Sequence, residues 1–268
     1  AILRQHGLTR GGVGERLRAL ANDPSARIPA NEAGRAAALE AMQHALERAR
    51  ALCAPAFARP LPPASVRAVP MAEEADGTRG RREGGAYIVD LGGPRPLWSL
   101  ATVVYHETLP GHGVEAAYQA NAHAPALQRR YASGFSEGWA TYAEMLADRL
   151  GAYEGDALGR LGYLHWMLFR VGRVVIDTGM HALRWSRARC IAEMRAIQGE
   201  SIAFVSIEED VSRIAAQPGA AAAQGLAALH LAKIAPELNA ALPRFHDAAL
   251  AHGPLSPPGL DAALRAGA

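Results

Sequence analysis

In the stretch YHETLPGHGVEAAYQ (105–119), His106 and Glu107 stand side by side and a second histidine, His112, follows six residues after the first. A hydrolytic zinc ion takes three protein ligands, usually imidazole or carboxylate, and keeps a fourth position for water. Two histidines four apart on a helix suit it because they share a face. A glutamate beside the first can take a proton from the metal-bound water. A spacing of six is different: it amounts to roughly 600° of helical rotation and leaves the second ring about 120° off the face of the first. A straight helix therefore cannot use both His106 and His112. Pro110 lacks the N–H that would return to the carbonyl of His106, and Gly111 tolerates dihedrals closed to other residues. Either a bulge at 109–111 re-phases the helix, or the helix ends at Leu109 and His112 caps the next one; this stretch alone leaves both open.

The segment GFSEGWATYAEML (134–146) supplies a carboxylate at a useful separation, since Glu137 lies 25 residues beyond His112 near the start of a new helix. It is a candidate third ligand. Glu144 lies two turns on along the same face, where it could orient a ligating histidine from behind. The plainer reading makes both glutamates solvent-facing, but Phe135 and Trp139 flank Glu137 and point to dry surroundings. A third segment, LGYLHWMLFRVGRVVIDTGMHALRW (161–185), places Arg170, Arg173, Asp177 and His181 on one face of an apolar helix. Asp177 is expected to bond the ring of His181, and His181 to donate to a developing oxyanion; a structural salt-bridge ladder is the alternative. His165 and His230 read as packed residues. His6, His44, His123, His246 and His252 read as peripheral.

These side chains need helices to hold them. The 268 residues are 50% hydrophobic and only 6% aromatic, with alanine-rich segments that favour helix over sheet. Helices are expected over 11–22, 31–54, 96–109, 112–123, 126–132, 134–150, 155–182, 186–197 and 207–215, with more in 221–250. Two β-like runs, 65–71 and 85–91, flank a charged stretch that reads as a solvated hairpin loop. The proline-rich segment 253–260 reads as a tail. The fold expected is mainly α, with one small antiparallel hairpin or sheet. The proline cluster at 58–66 separates an N-terminal helical segment (1–60) from a catalytic domain (61–268), the two forming one unit. A net charge of +2, from 28 basic and 26 acidic residues, argues against nucleic acid or a membrane surface as the main partner. No apolar run is long enough to span a membrane. Cys53 and Cys190 lack metal-type spacing and read as free buried thiols. The chain opens AILRQHG rather than on methionine, which points to a removed upstream segment and leaves cytoplasm and periplasm both open.

In combination, the strings VRAVPMAEEADGT (66–78), TVVYHETLPGHGVEAAYQ (102–119), SGFSEGWATYAEML (133–146) and RVVIDTGMHALRWSRARCIAEM (173–194) resemble a bacterial family, the domain of unknown function 885. Members look like helical zinc metallopeptidases of gluzincin type, with a fold similar to the carboxypeptidase Taq family. The resemblance covers roughly the C-terminal two-thirds. It implies one Zn2+ per chain held by His106, His112 and Glu137, with Glu107 as general base and Asp177 and His181 in the cleft. Two departures stand out: Gly113 where the family usually has a second histidine, and Gln224 where it has a tyrosine. Family members are commonly about twice as long, so this chain looks like the catalytic half. The expectation is a zinc-dependent, carboxypeptidase-like hydrolase of peptides, with Arg213 or Arg173 holding a substrate carboxylate. Hydrolysis of a non-peptide amide, and metal binding without turnover, are the rivals.

Overall fold

Capping chemistry marks where the chain turns into helix. The Asn31 side chain accepts from Gly34 N (2.8 Å) to start α3 (Glu32–Cys53), and Asp156 accepts from Gly159 N (2.7 Å) to start α8 (Ala157–His181). Ser186 and Ser206 do the same for α9 (Arg187–Gln198) and α10 (Ile207–Ala216). In this computed structural model, residues 30, 71–72, 74–79, 93–95, 121, 123, 200–205 and 267–268 lie outside the described part of the chain. The remaining helices are α1 (Ile2–Gln5), α2 (Val13–Ala21), α4 (Leu100–Glu107), α5 (His112–Gln119), α6 (Ala126–Arg129), α7 (Ala132–Arg149), α11 (Ala220–Ile234), α12 (Leu242–Ala251) and α13 (Pro257–Ala266). The mainly helical class is as expected. Two helices were not: α1 precedes the first expected helix, and the segment read as a proline-rich tail forms α13, which begins on Pro257, where a missing N–H costs nothing.

The β-like runs form β1 (Ser65–Ala68) and β3 (Ala86–Val89), but they pair with each other in parallel, Ser65 opposite Ala86 and Ala68 opposite Val89. The hairpin expected between them is instead made by β3 with β2 (Gly80–Glu83), which arises from the charged stretch. Its two-residue turn is Gly84–Gly85, with φ of +55° and +80°, the pair of positive angles that a tight right-twisted hairpin requires. The sheet is therefore mixed, in the order β1-β3-β2, with β2 on the outside. Most of the solvated loop read between the two runs lies outside the described residues.

Helix α7 runs through the main core. Phe135, Trp139, Tyr142, Leu146 and Ala147 are all buried, and they share one core with Met42 and Leu46 of α3, Val104 of α4, Val114 of α5 and Leu231 of α11. The segment N-terminal to residue 60 thus shares this core with the rest. Burying a large apolar side chain stabilises by roughly 1.5–3 kcal/mol, so α7 is a firmly held platform for a site. Cys53 and Cys190 are buried free thiols, as read. No helix among the described residues is long and apolar enough to cross a membrane.

Candidate metal centre

The helix carrying His106 does break, and the break is what returns His112 to it. Helix α4 ends at Glu107, and residues 108–111 loop out before α5 begins on His112 itself. The ladder is rewired across the gap: Gly111 N donates to Tyr105 O (3.0 Å) and Gly113 N to Thr108 O (2.8 Å). Gly111 is obligatory, because a Cβ there would lie 2.0 Å from the carbonyl oxygen of His106. From α7, the Trp139 indole donates to both Pro110 O and Gly111 O (3.2 Å each) and ties the loop to the core. Neither sequence alternative is complete alone: the helix ends two residues before Leu109, yet the two rings come together, centroids 4.9 Å apart and mutually perpendicular.

Glu137 lies between them. Its Oε2 is 3.4 Å from His106 Nε2 and its Oε1 is 3.5 Å from His112 Nε2, with one ligand atom from each residue falling within 4.8 Å of the others. Ligands about 2.0–2.1 Å from a tetrahedral zinc stand roughly 3.3 Å apart, so the three are at ligand spacing. His112 Nε2 is buried and has no hydrogen-bond partner among the described residues. Such an orphan is expensive unless something occupies its lone pair. The donor set fits a zinc ion.

Each histidine is held from behind by a buried carboxylate. His106 Nδ1 donates to Glu144 Oε1 (2.7 Å), while Glu144 also accepts from Thr102 Oγ1 (2.5 Å) and sits 2.8 Å from Arg170 Nη2. On the other side His112 Nδ1 donates to Glu115 Oε2 (3.2 Å), which also takes the Ser136 hydroxyl (2.5 Å). With Nδ1 of each ring against a carboxylate, Nε2 of each is turned to the centre. Glu144 meets His106 from the side its position on α7 suggested. Glu115, Ser136 and Thr102 were not read from the sequence; the available signal was the i, i+3 spacing of His112 and Glu115.

Electrostatics follow from this crowding. Burial raises the carboxyl of Glu144, but Arg170, His106 and Thr102 outweigh it and hold the group below its usual range. Burial likewise opposes ionisation of Glu137, and the two histidines override it. For His106, burial and the Arg170 charge work against protonation, yet Glu137 and Glu144 push it up to about 9. Protons and a cation compete for one pocket of negative charge.

A cleft of about 200 Å³ opens beside the centre, lined by His106, Glu107, Glu137, Tyr87, Arg170 and Arg173 among others. Glu107 therefore faces the same space as the ligand set, and its Oε2 is engaged by Arg82 of β2. Arg82 was hidden in the charged stretch read as solvated. Glu137 and both arginines also line a narrower lobe of about 30 Å³, with Thr141, Ala221 and Gln224.

The far end of the α8 stripe departs from expectation. Asp177 accepts from Gly219 N and Ala222 N (2.9 Å each), capping the start of α11, and lies 3.7 Å from His181 Nε2, beyond hydrogen-bond reach. His181 Nε2 instead donates to Ile214 O (3.1 Å) in α10. Neither residue lines the cleft. The pair expected to serve an oxyanion is thus engaged in helix capping and inter-helix bonding in this structure. Of the two arginines expected to hold a substrate carboxylate, Arg173 lines both lobes, whereas Arg213 is half exposed beside Asp210 (3.9 Å) and lines neither. His246, read as peripheral, is fully buried: Tyr142 Oη bonds its Nε2 and its Nδ1 donates to Ala56 O (2.7 Å each).

The sequence pattern of a family described as "Bacterial protein of unknown function (DUF885)" matches residues 1–264. A crystal structure described as "the putative lipoprotein from Colwellia psychrerythraea" is similar over 99% of this chain, at 29% identity and a TM-score of 0.78, the match taking in 48% of that chain. A "putative lipoprotein of unknown function from Shewanella oneidensis" is similar over 98% of this chain and 52% of its own, at 15% identity and a TM-score of 0.69; at that identity the likeness is one of fold. This chain spans about half the length of the solved structures it matches. No curated protein matches it.

Proposed function

We propose that this chain, which belongs to the DUF885 family of bacterial proteins, is a zinc-dependent hydrolase of peptides. The observation that carries the reading is the pair of imidazole Nε2 atoms set 3.4 and 3.5 Å from the two oxygens of Glu137, each ring backed by its own buried carboxylate. When bound, zinc supplies a water acidified to a pKa of about 7 and a Lewis acid for the scissile carbonyl. Glu107, on the wall of the cleft, accepts the proton and returns it to the leaving amine. Arg82 engages Oε2 of that carboxylate, so Oε1 is the oxygen left for the proton. Helix α7 excludes solvent beneath the centre through Phe135 and Trp139. The outer strand β2 is exposed along its length and reaches the cleft at Gly80, which suits an extended peptide added as a further strand.

Elemental analysis of purified wild type and His112→Ala tests the metal. One zinc per wild-type chain and loss from the variant is the expected result, and equal content in both removes His112 from the ligand set. Hydrolysis of a peptide library by the zinc-loaded chain, abolished in Glu107→Gln, tests the chemistry. The contact of Arg82 with Glu107 favours a second reading, metal binding without peptide turnover. A chain that binds zinc stoichiometrically and cleaves no peptide would establish it.

A further inference from the structure

The chain carries only 4 Trp, 7 Tyr and 5 Phe in 268 residues, yet one of each stands on the wall of the larger cleft. Trp166 and Phe169 come from α8, three residues apart and therefore on one face. Their rings meet edge to face, with centroids 5.7 Å apart and planes at 84°. One turn further along, Arg170 lays its guanidinium over Trp166 (5.2 Å to the centroid) and Arg173 lays its own over Phe169 (5.8 Å). Each ring is thus held beside a cation, and all four side chains line the cleft. Tyr87 reaches the same space from β3. Its cross-strand partner is Arg82, but its ring lies diagonally across β2, over Gly80. A Cβ at position 80 would stand 2.2 Å from Tyr87 Oη, so glycine is what leaves room for the phenol there.

Size and charge narrow what fits between these walls. A cavity of about 150 Å³ accepts one benzene, so the cleft, at about 200 Å³, takes one ring with the amide beside it and not a second ring. An aliphatic side chain would gain burial alone. An aromatic one adds edge-to-face contact with Trp166 and Phe169, and its negative π face meets two guanidiniums. An acidic side chain would meet Glu107 and Glu137 on the same walls, and Arg170 already has Glu144 as its counter-ion.

We propose that this aromatic slot selects the residue beside the scissile bond, so that the substrates are peptides with phenylalanine or tyrosine at that position. This rests on the peptidase reading given above and names its substrate class. The slot shares its space with His106, Glu137 and Glu107, which puts the selected residue next to the reacting amide. Trp166 sets the preference, because it is only partly buried while Phe169 and Tyr87 are 6% and 5% exposed. Gly80 is a positioning residue that acts through Tyr87.

Two measurements separate this inference from the reading beneath it. The first is binding, by titration calorimetry on the chain with and without zinc, of acetyl-Ala-X-Ala-amide peptides in which X is phenylalanine, cyclohexylalanine or aspartate. The phenylalanine peptide is expected to bind at least fivefold more tightly than either of the others, and Trp166→Leu to bring it to the level of cyclohexylalanine. No measurable binding of the phenylalanine peptide, equal affinity for it and its saturated counterpart, or an undiminished preference in Trp166→Leu overturns the proposal. Tighter binding of the aspartate peptide also overturns it, because the arginines rather than the rings would then select. Should Trp166→Leu fail to melt cooperatively, Gly80→Ala on the exposed strand β2 serves instead, with a partial loss of the preference expected and an unchanged preference as the contrary result. The second is hydrolysis by the zinc-loaded chain of peptides with phenylalanine or alanine beside the cleaved bond. A kcat/KM at least tenfold higher for phenylalanine, reduced in Trp166→Leu through KM, supports the proposal. Cleavage indifferent to the aromatic residue overturns the slot and leaves the peptidase reading standing. Aromatic-selective binding that depends on Trp166, without hydrolysis of any peptide, supports the slot and overturns the peptidase reading alone.

Discussion

His106 and His246 are buried to a similar degree in one hydrophobic body, and they have opposite chemistry. His246 packs on Phe57 (ring centroids 4.8 Å apart), takes a bond from Tyr142 and gives one to Ala56, so every polar atom is satisfied by a neutral group. Burial pushes its pKa down to about 4, as it does for His165 against Trp98. His106 faces two carboxylates instead, and these push it up to about 9. The difference shows that burial of an imidazole says nothing about function by itself. A carboxylate on one nitrogen and open coordination space at the other does.

The largest way to break the contrast is Glu144→Ala. It strands the Arg170 guanidinium, removes the acceptor of His106 Nδ1 and leaves Thr102 without its partner. Removing one partner of a buried ion pair costs about 3–5 kcal/mol, so urea unfolding of the metal-free variant should show a loss on that scale, with zinc affinity weakened as well. A loss below about 1 kcal/mol would mean the pair is better solvated than its burial indicates.

The core histidines give the next effect, through pH. Their folded pKa values are lowered from 6.5 to about 4, so the unfolded chain binds more protons than the folded one between those values. Their contribution to stability is complete above pH 6.5 and is lost as pH falls toward 4, by at most about 3 kcal/mol per group. Metal-free His106 works in the other direction, contributing below pH 6.5 and losing that contribution as pH rises through about 9. Urea midpoints across pH 4–7 should fall on the acid side, and His246→Gln should flatten the slope. An unchanged slope in that variant would reassign the acid sensitivity.

Glu115→Gln sharpens the comparison within the site. The amide keeps a hydrogen bond to His112 but removes the charge that makes its ring a better donor, which typically costs 10–100-fold in metal affinity. Zinc competition against a chromogenic chelator reads this directly. Full affinity in the variant would show that Ser136 alone orients the ring.

The comparison also explains what the sequence made visible. His106, His112, Glu137 and Glu144 were legible because ligand chemistry restricts residue type and a helix fixes which residues share a face. The re-phasing at Pro110 and Gly111 was legible as a need, while its anchor, the Trp139 indole, was not, since that bond joins positions 28 and 29 residues apart. Glu115 and His246 were missed for one reason: periodicity identifies a buried face but not the atoms opposite it. The β1 and β3 runs were paired in the reading but in the wrong direction, because the charge run that looked like a solvated tip contains a third strand, β2, and Arg82.

The α8 stripe is the sharpest case, and Asp177→Ala tests it with the smallest expected effect. One helix face carries Arg170 and Arg173 to the cleft and then, two turns on, Asp177 and His181 to α11 and α10. Asp177 takes two backbone N–H groups at the start of α11, an arrangement worth about 1–2 kcal/mol by analogy with helix caps. Thermal unfolding of the variant should show a loss of that size. Zinc stoichiometry and the kcat of any peptide hydrolysis should remain at wild-type values at temperatures where the variant is folded. His181→Ala should behave alike and cost less, because it gives up one bond to Ile214 O. A variant with undiminished stability and abolished turnover would return this end of the stripe to the chemistry, and would mean that α8 shifts to bring His181 into the cleft when substrate binds.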